Sequence, residues 1–293
     1  MQLPSVWTAM ITPFDQDLQV NYSKAAELAE YLCQHGSEGI IVSGTTGESP
    51  VLSTEEKLQL LVAVKQKVGK QVPVWCGTGS NDTAHVIELS REAEKAGADG
   101  LLLVSPYYSK PPQEGLYQHF KQVAESVSVP LMLYNIPGRT AVNMLPATMA
   151  RLAEIENIVA IKEAAGDLDQ VSQLSSILPP RVAIFSGDDS LTLPMLAVGA
   201  QGVVSIASHI LGNEIKAMVE AYFAGQVDQA RELHLKLFPA FKGLFVTTNP
   251  IPLKAALNMM GMKVGGLRLP LVEADEAQIA QVKELLQSYK LIV

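Results

Sequence analysis

The stretch Asn157-Ile158-Val159-Ala160-Ile161-Lys162-Glu163-Ala164 decides the fold prediction. Its apolar centre is typical of a strand that is buried on both faces, as in parallel sheets. Lys162 stands at the carboxyl end of that strand, although removing an ammonium from water is costly. Burial favours the neutral amine, which is a nucleophile, so Lys162 is a candidate Schiff-base lysine. The alternative is a lysine that points to solvent and pairs with Glu163, and this stretch alone leaves both open.

Outward from this strand, short apolar runs alternate with amphipathic helical stretches along most of the chain. The pattern predicts eight strands, at Val6–Ile11, Gly39–Ser43, Pro73–Gly77, Gly100–Val104, Leu131–Tyr134, Ile158–Lys162, Val182–Ser186 and Gly202–Ile206, the last followed by a helix from about Asn213. Eight such units predict an α/β fold, the (β/α)₈ TIM barrel, whose usual size is ~250 residues. A doubly wound sheet is the alternative, but its Gly-rich first turn is missing from Thr12-Pro13-Phe14-Asp15.

The predicted domain organisation has two parts. Residues 1–224 form the barrel that carries the active site, and residues 225–293 form a C-terminal region of three helices, because their pattern is helical and contains no convincing strand.

Composition excludes several classes of function. A net charge of −8 over 293 residues argues against a surface that binds nucleic acid. The two cysteines, Cys33 and Cys76, form no CxxC pattern and are interpreted as core residues. The first ten residues show no signal-peptide pattern, and no apolar run approaches the ~20 residues that span a bilayer, so a cytoplasmic protein is expected.

Chemically useful side chains follow several of the predicted strands, and the carboxyl ends of barrel strands are where catalytic groups lie. Hydroxyls between glycines suit a small anion, a phenol can move a proton, and arginine suits a carboxylate. Each group alone has a structural explanation, but together at one rim they favour Lys162 as a catalytic residue. The segments are Gly44-Thr45-Thr46-Gly47-Glu48-Ser49, Tyr107-Tyr108, Tyr134-Asn135-Ile136-Pro137-Gly138-Arg139-Thr140 and Gly187-Asp188-Asp189.

Other site chemistries lack their motifs. The five histidines show no metal-ligand spacing, and there is no P-loop, GxSxG elbow or complete dinucleotide fingerprint. We therefore expect no metal site and no cofactor.

Together with Asn249-Pro250-Ile251-Pro252, these segments closely resemble the dihydrodipicolinate synthase family over nearly the whole chain. The resemblance implies a lyase that condenses pyruvate with L-aspartate 4-semialdehyde through a lysine Schiff base. The product would be 4-hydroxy-tetrahydrodipicolinate, in the first committed step of diaminopimelate and lysine biosynthesis. The resemblance also implies a homotetramer, built as a dimer of dimers.

The resemblance implies a role for each matching residue. Lys162 would form the imine, and Thr46, Tyr134 and Tyr108 would relay protons, with Tyr108 reaching in from a neighbouring subunit. The implied substrate-binding residues are Thr45 and Thr46 for the pyruvate carboxylate, Arg139 for the semialdehyde carboxylate, Val204 through its backbone, and Gly187, Asp188 and Asn249 near the second substrate.

The family's site for feedback inhibition by lysine is altered here. Ser49, Asn81 and Tyr107 match the family's pattern, whereas sensitive members usually carry His or Glu where Lys57 stands and often Glu where His85 stands. A second ammonium would repel the ligand, and histidine replaces a carboxylate poorly at neutral pH. We therefore expect weak or absent inhibition by lysine.

Two alternatives remain at this point. A related pyruvate aldolase, such as N-acetylneuraminate lyase or a keto-deoxy-sugar-acid aldolase, would share the lysine and the tyrosine, although Arg139 favours the synthase. A non-catalytic barrel that binds a carboxylate would need neither.

Overall fold

The computed structural model describes residues 3–293 and contains a closed parallel barrel of eight strands in chain order, with β1 paired to β8. The prediction of a TIM barrel is therefore confirmed. The strands are β1 Val6–Ala9, β2 Gly39–Val42, β3 Val74–Gly77, β4 Gly100–Val104, β5 Leu131–Asn135, β6 Ile158–Glu163, β7 Ala183–Ser186 and β8 Gly202–Ser205. Nearly every strand residue is buried, which explains why each strand is an apolar run in the sequence.

Helices surround the barrel and bury one face each against it. Caps seen in the sequence start several of them. Asn21 accepts a hydrogen bond from Lys24 N, and Ser53 and Glu56 form a capping box. The barrel helices are α1 Tyr22–Gln34, α2 Thr54–Val68, α3 Thr83–Lys95, α4 Gln113–Ala124, α5 Pro137–Thr140, α6 Pro146–Leu152, α7 Leu168–Ile177, α8 Thr192–Ala197 and α9 Ser208–Phe223. Two 3₁₀ helices, Ser49–Val51 and Asp189–Leu191, follow β2 and β7.

Three further helices follow the barrel: α10 Val227–Gly243, α11 Ile251–Met259 and α12 Glu276–Ser288. The segment after α11 reaches the first βα loop, where Phe14 N donates to Val264 O at 3.0 Å. The C-terminal region is therefore in contact with the mouth of the barrel. The domain boundary between residues 224 and 225 stays a prediction.

The predicted start of the helix after β8 was wrong. We expected a helix from about Asn213, whereas α9 begins at Ser208 and contains a kink at Leu211 (φ −138°, ψ 36°). Gly212 follows the kink and obscures the first helical turn in the sequence pattern. β1 also ends at Ala9 and not at Ile11.

No helix between residues 3 and 293 combines the length and the apolar character needed to cross a membrane.

Candidate active site

Lys162 and Tyr134 are cross-strand neighbours near the carboxyl ends of β6 and β5. The Lys162 Nζ lies 4.0 Å from the centroid of the Tyr134 ring, within the range of a cation–π contact. The barrel register therefore brings together the two side chains that the sequence had singled out.

The Lys162 amine is removed from water, with 5% of the residue exposed. Burial lowers its pKa from the ordinary 10.5 to about 7, and the Arg139 guanidinium adds to that effect, whereas Asp189 opposes it. A substantial fraction of the amine is then neutral near pH 7, as nucleophilic attack requires.

Glu163 does not form an ion pair with Lys162 in solvent, which was the alternative interpretation of this stretch. Its carboxylate accepts hydrogen bonds from Asn135 Nδ2, at 3.0 and 3.1 Å, and from Gln170 Nε2, at 3.0 Å. Burial raises its pKa, and the hydrogen bonds from Asn135 and Gln170 oppose the rise. The two adjacent side chains therefore serve different surroundings, as alternation along a strand dictates.

Gly187 stands against the lysine stem. A Cβ at this position would lie 3.0 Å from Lys162 Cε and 2.8 Å from Ala164 Cβ, so any side chain would displace the amine. Asp188 caps the short 3₁₀ helix by accepting a hydrogen bond from Ser190 N at 2.9 Å. Gly187 thus leaves room for the lysine, while the contacts of Asp188 are local.

Asp189 is a residue near Lys162 that the sequence analysis had placed at the rim without a role of its own. Its buried carboxylate accepts hydrogen bonds from Ser205 Oγ and from the Ile206 and Ala207 N–H groups, so it connects β7 to the end of β8. It is also the group that opposes the fall of the Lys162 pKa. A carboxylate after β7 was visible in the sequence, but its partners were not.

Thr45 and Thr46 lie in the loop after β2. The Thr46 Oγ1 accepts a hydrogen bond from Asn249 Nδ2 at 2.9 Å. Their two backbone N–H groups donate to no other residue within the described range 3–293. The loop therefore offers amides and hydroxyls to a small anion, as the sequence indicated.

The Tyr134 hydroxyl is buried, and burial raises its pKa well above the ordinary 10. The Arg139 guanidinium and a hydrogen bond with the Thr45 side chain oppose the rise. Tyr134 is thus a protonated phenol at neutral pH, able to donate. Its hydroxyl neighbour in this structure is Thr45, and the relay through Thr46 stays a prediction.

A cavity of about 380 Å³ opens at this rim. Its lining includes Thr45, Tyr134 and Arg139, whereas Lys162 is not part of the lining and contacts the ring of Tyr134. The Arg139 side chain is on the exposed end of α5 and makes no ion pair with any described residue. A guanidinium in this position is available to a carboxylate ligand.

Tyr108 is on the loop after β4 and is 89% exposed, with a left-handed backbone (φ 73°). Its side chain points away from the chain's own interior, so it does not join Lys162 within one chain. Its contribution to a second chain's site stays a prediction.

Four of the five residues of the predicted, altered lysine site line the same cavity. Ser49, Lys57, His85 and Tyr107 line it, and Asn81 Nδ2 donates to Tyr107 O at 3.4 Å. Lys57 is 8% exposed, and burial lowers its pKa.

Two other predicted groups have simple surroundings. Val204 on β8 is buried and is the register partner of Trp7 on β1. Its backbone contact with substrate stays a prediction. Cys76 is buried and Cys33 is half-buried.

Within residues 3–293, no group of three or more His, Cys, Asp or Glu side chains could hold a metal ion.

Comparison with known proteins gives consistent matches along the chain. Residues 2–289 match the Dihydrodipicolinate synthetase family. The chain is 58% identical over 288 residues to a 4-hydroxy-tetrahydrodipicolinate synthase of Desulforamulus reducens, covering 98% of this chain and 97% of that relative. It is 56% identical over 291 residues to the protein of that name from Heliobacterium modesticaldum, covering 99% and 97%.

Solved structures show the same likeness. A dihydrodipicolinate synthase from Bacillus anthracis superposes with a TM-score of 0.96 at 46% identity, covering 98% of this chain and 99% of that chain. The enzyme from Cyanidioschyzon merolae, solved with lysine bound, gives 0.97 at 44% identity and covers 98% of each chain.

Proposed function

The chain belongs to the dihydrodipicolinate synthetase family, and we propose that Lys162 is the residue that forms the Schiff base on which the family's reaction depends. The chain is a lyase that condenses pyruvate with L-aspartate 4-semialdehyde to give 4-hydroxy-tetrahydrodipicolinate, in the route to diaminopimelate and lysine. The observation that carries the assignment of Lys162 is a buried amine, with a pKa of about 7, against Tyr134 at the barrel mouth.

The first step is attack of the neutral Lys162 amine on the C2 ketone of pyruvate. The pyruvate carboxylate is held by the amides and hydroxyls of Thr45 and Thr46. The carbinolamine must lose its hydroxyl as water, and the buried Tyr134 phenol, protonated at neutral pH, supplies the proton. The protonated imine then withdraws electrons while the Tyr134 phenolate takes up a C3 proton, which gives the enamine nucleophile and restores the phenol.

The second step joins the enamine carbon to the aldehyde of the semialdehyde, whose oxygen takes up a proton. The amino group of this substrate then displaces the Lys162 amine from the imine carbon, which closes the ring and frees the lysine. Arg139 binds the carboxylate of this substrate, since its guanidinium is exposed at the rim and has no ion-pair partner among residues 3–293. Gly187, Asp188 and Asn249 border the region that binds this substrate. Val204 contributes through its backbone.

In the active unit, Tyr108 of a neighbouring copy completes the proton relay. The 89% exposure of Tyr108 supports its use by a neighbouring copy. We propose at least a dimer, and a homotetramer built as a dimer of dimers, as the active unit. The expected cytoplasmic location stays a prediction.

The test is intact mass after incubation with pyruvate and cyanoborohydride, followed by peptide mapping. A pyruvyl adduct on Lys162, absent from Lys162→Met, is the expected result. Lys216→Met is the matched control, because Lys216 is in a part-exposed ion pair with Glu38 and should leave the adduct intact. A folded protein without the adduct would refute the assignment.

A coupled assay distinguishes the synthase from the related aldolases. Turnover with the semialdehyde and none with N-acetylneuraminate is expected, and the reverse pattern would contradict it.

A further inference from the structure

The loop after β2 is held from outside at three successive residues. Each contact comes from a distant part of the chain, and two of the three come from the C-terminal region. The contacts are Asn249 Nδ2 to Thr46 Oγ1 at 2.9 Å, Thr12 Oγ1 to Gly47 O at 2.7 Å, and Lys254 Nζ to Glu48 Oε1 at 2.6 Å.

The ion pair of Glu48 and Lys254 is the most buried of these contacts. The side chains of Glu48 and Lys254 are 0% and 1% exposed. The second carboxylate oxygen of Glu48 accepts from Arg268 N at 3.1 Å, and Lys254 Nζ also donates to Gly266 O at 2.7 Å. Both charged groups thus have partners within the chain.

Lys254 is confined on its remaining side by an aromatic ring. Its Nζ lies 4.1 Å from the centroid of Phe14, in the first βα loop. The ammonium has little freedom to move without breaking one of these contacts, so the position of Glu48 is set by α11 and the first loop together.

Glu48 needs an external anchor because of its backbone. It adopts a left-handed conformation (φ 56°, ψ 35°), which a residue with a side chain rarely takes. Such a conformation persists where the surroundings impose it, and it is common at functional sites. Glu48 is separated from Thr46 only by Gly47, so it lies at the end of the segment that carries the amides of Thr45 and Thr46.

A buried ion pair is weak evidence for stability alone, because apolar side chains of similar size often serve as well. A charge pair fixes the relative position of its two side chains, however, and one of them, Glu48, belongs to the loop after β2 that carries Thr45 and Thr46. We propose that Lys254 is a positioning residue for the carboxylate of the first substrate, acting through Glu48 on Thr45 and Thr46. This inference rests on the assignment of those threonines in the proposed function.

The test compares steady-state kinetics of Lys254→Met, of Glu48→Gln/Lys254→Met and of the control Lys216→Met. The single variant leaves a buried carboxylate unpaired, whereas the double variant removes both charges at similar volume. We expect the KM for pyruvate to rise about tenfold in both Lys254 variants, with kcat and the KM for the semialdehyde within about threefold of wild type. The control should change none of these parameters.

Two results would overturn the inference. One is a folded Lys254 variant whose KM for pyruvate equals that of wild type. The other is failure of both variants to fold, which would assign the pair to stability. Failure of the proposed function looks different, because the wild-type protein would then give no pyruvyl adduct at Lys162.

Discussion

Asn249 Nδ2 donates a 2.9 Å hydrogen bond to Thr46 Oγ1, although the two residues are 203 positions apart in the chain. Both residues are buried. The contact orients the Thr46 hydroxyl from the segment that leads into α11, so the C-terminal region takes part in the geometry of the barrel mouth.

Asn249→Ala should weaken pyruvate binding. Without its donor, the Thr46 hydroxyl is free to rotate, and a buried hydrogen bond of this kind contributes about 1 kcal/mol. We expect the KM for pyruvate to rise about fivefold, measured in a coupled assay. Asn213→Ala is the control, because Asn213 is exposed on α9. Equal KM values for the two variants would contradict the prediction.

The rate of imine formation should depend on pH through Lys162. Its pKa is about 7, so the neutral fraction grows about tenfold per pH unit well below 7 and levels off above it. Cyanoborohydride trapping at a series of pH values measures this. Arg139→Gln should move the midpoint upward, because Arg139 lowers the lysine pKa. A midpoint near 10 in wild type would show that the amine is solvated.

Lys162→Met should stabilise the fold at neutral pH. The lysine pKa falls from 10.5 to about 7 on folding, so the unfolded chain binds more protons between these values and wild-type stability rises with pH across that window. Below about pH 7 the full cost of burying the charged amine applies, which is at most about 5 kcal/mol. Urea unfolding at about pH 6 and pH 9 measures the free energy of unfolding. The advantage of the variant should be larger at the lower pH, and an advantage that grows with pH would oppose this reasoning.

Gly187→Ala should damage catalysis. The new Cβ would lie 3.0 Å from Lys162 Cε and 2.8 Å from Ala164 Cβ, so the lysine stem and the backbone that carries Ala164 must both shift to accept it. Because misplacement of a reacting atom by about 1 Å costs on the order of 100-fold, we expect kcat to fall at least about tenfold. Gly138→Ala is the control, since a Cβ there meets nothing within 4 Å. An unchanged kcat for Gly187→Ala would show that the lysine tolerates the shift.

L-Lysine should inhibit this enzyme weakly or not at all. Lys57 lines the cavity together with Ser49, His85 and Tyr107, so the ligand's ammonium would meet a second cation wherever Lys57 is protonated. Initial rates at increasing lysine concentration, at about pH 8, provide the measurement. A sub-millimolar inhibition constant would refute the prediction. The variant Lys57→His/His85→Glu, which restores residues of the sensitive pattern, should increase inhibition.

Much of the active-site rim could be predicted from the sequence. It depends on local hydrophobic pattern and on the rule that the carboxyl ends of all barrel strands meet at one face. Lys162 follows an apolar run, and Tyr134 and the Thr45-Thr46 pair follow others, so closure of the barrel had to bring their strand ends together. The additional roles of Glu48, Lys254 and Asp189 were missed. Lys254 did carry a signal, since it is a lysine within the apolar stretch of α11, as Lys162 is a lysine that directly follows the apolar run of β6.

The sequence by itself determined the strand count, the barrel and the choice of Lys162 as the candidate reactive lysine, because each strand is an apolar run and the candidate side chains follow such runs directly. Only the tertiary structure decided which distant side chains surround these groups. The contacts of Asn249 with Thr46, Lys254 with Glu48 and Asp189 with the end of β8 join segments whose separation in the chain has no periodic signal. The physical reason is that their partners are selected by the closed barrel and by the packing of α11 against its mouth, not by the residues next to them.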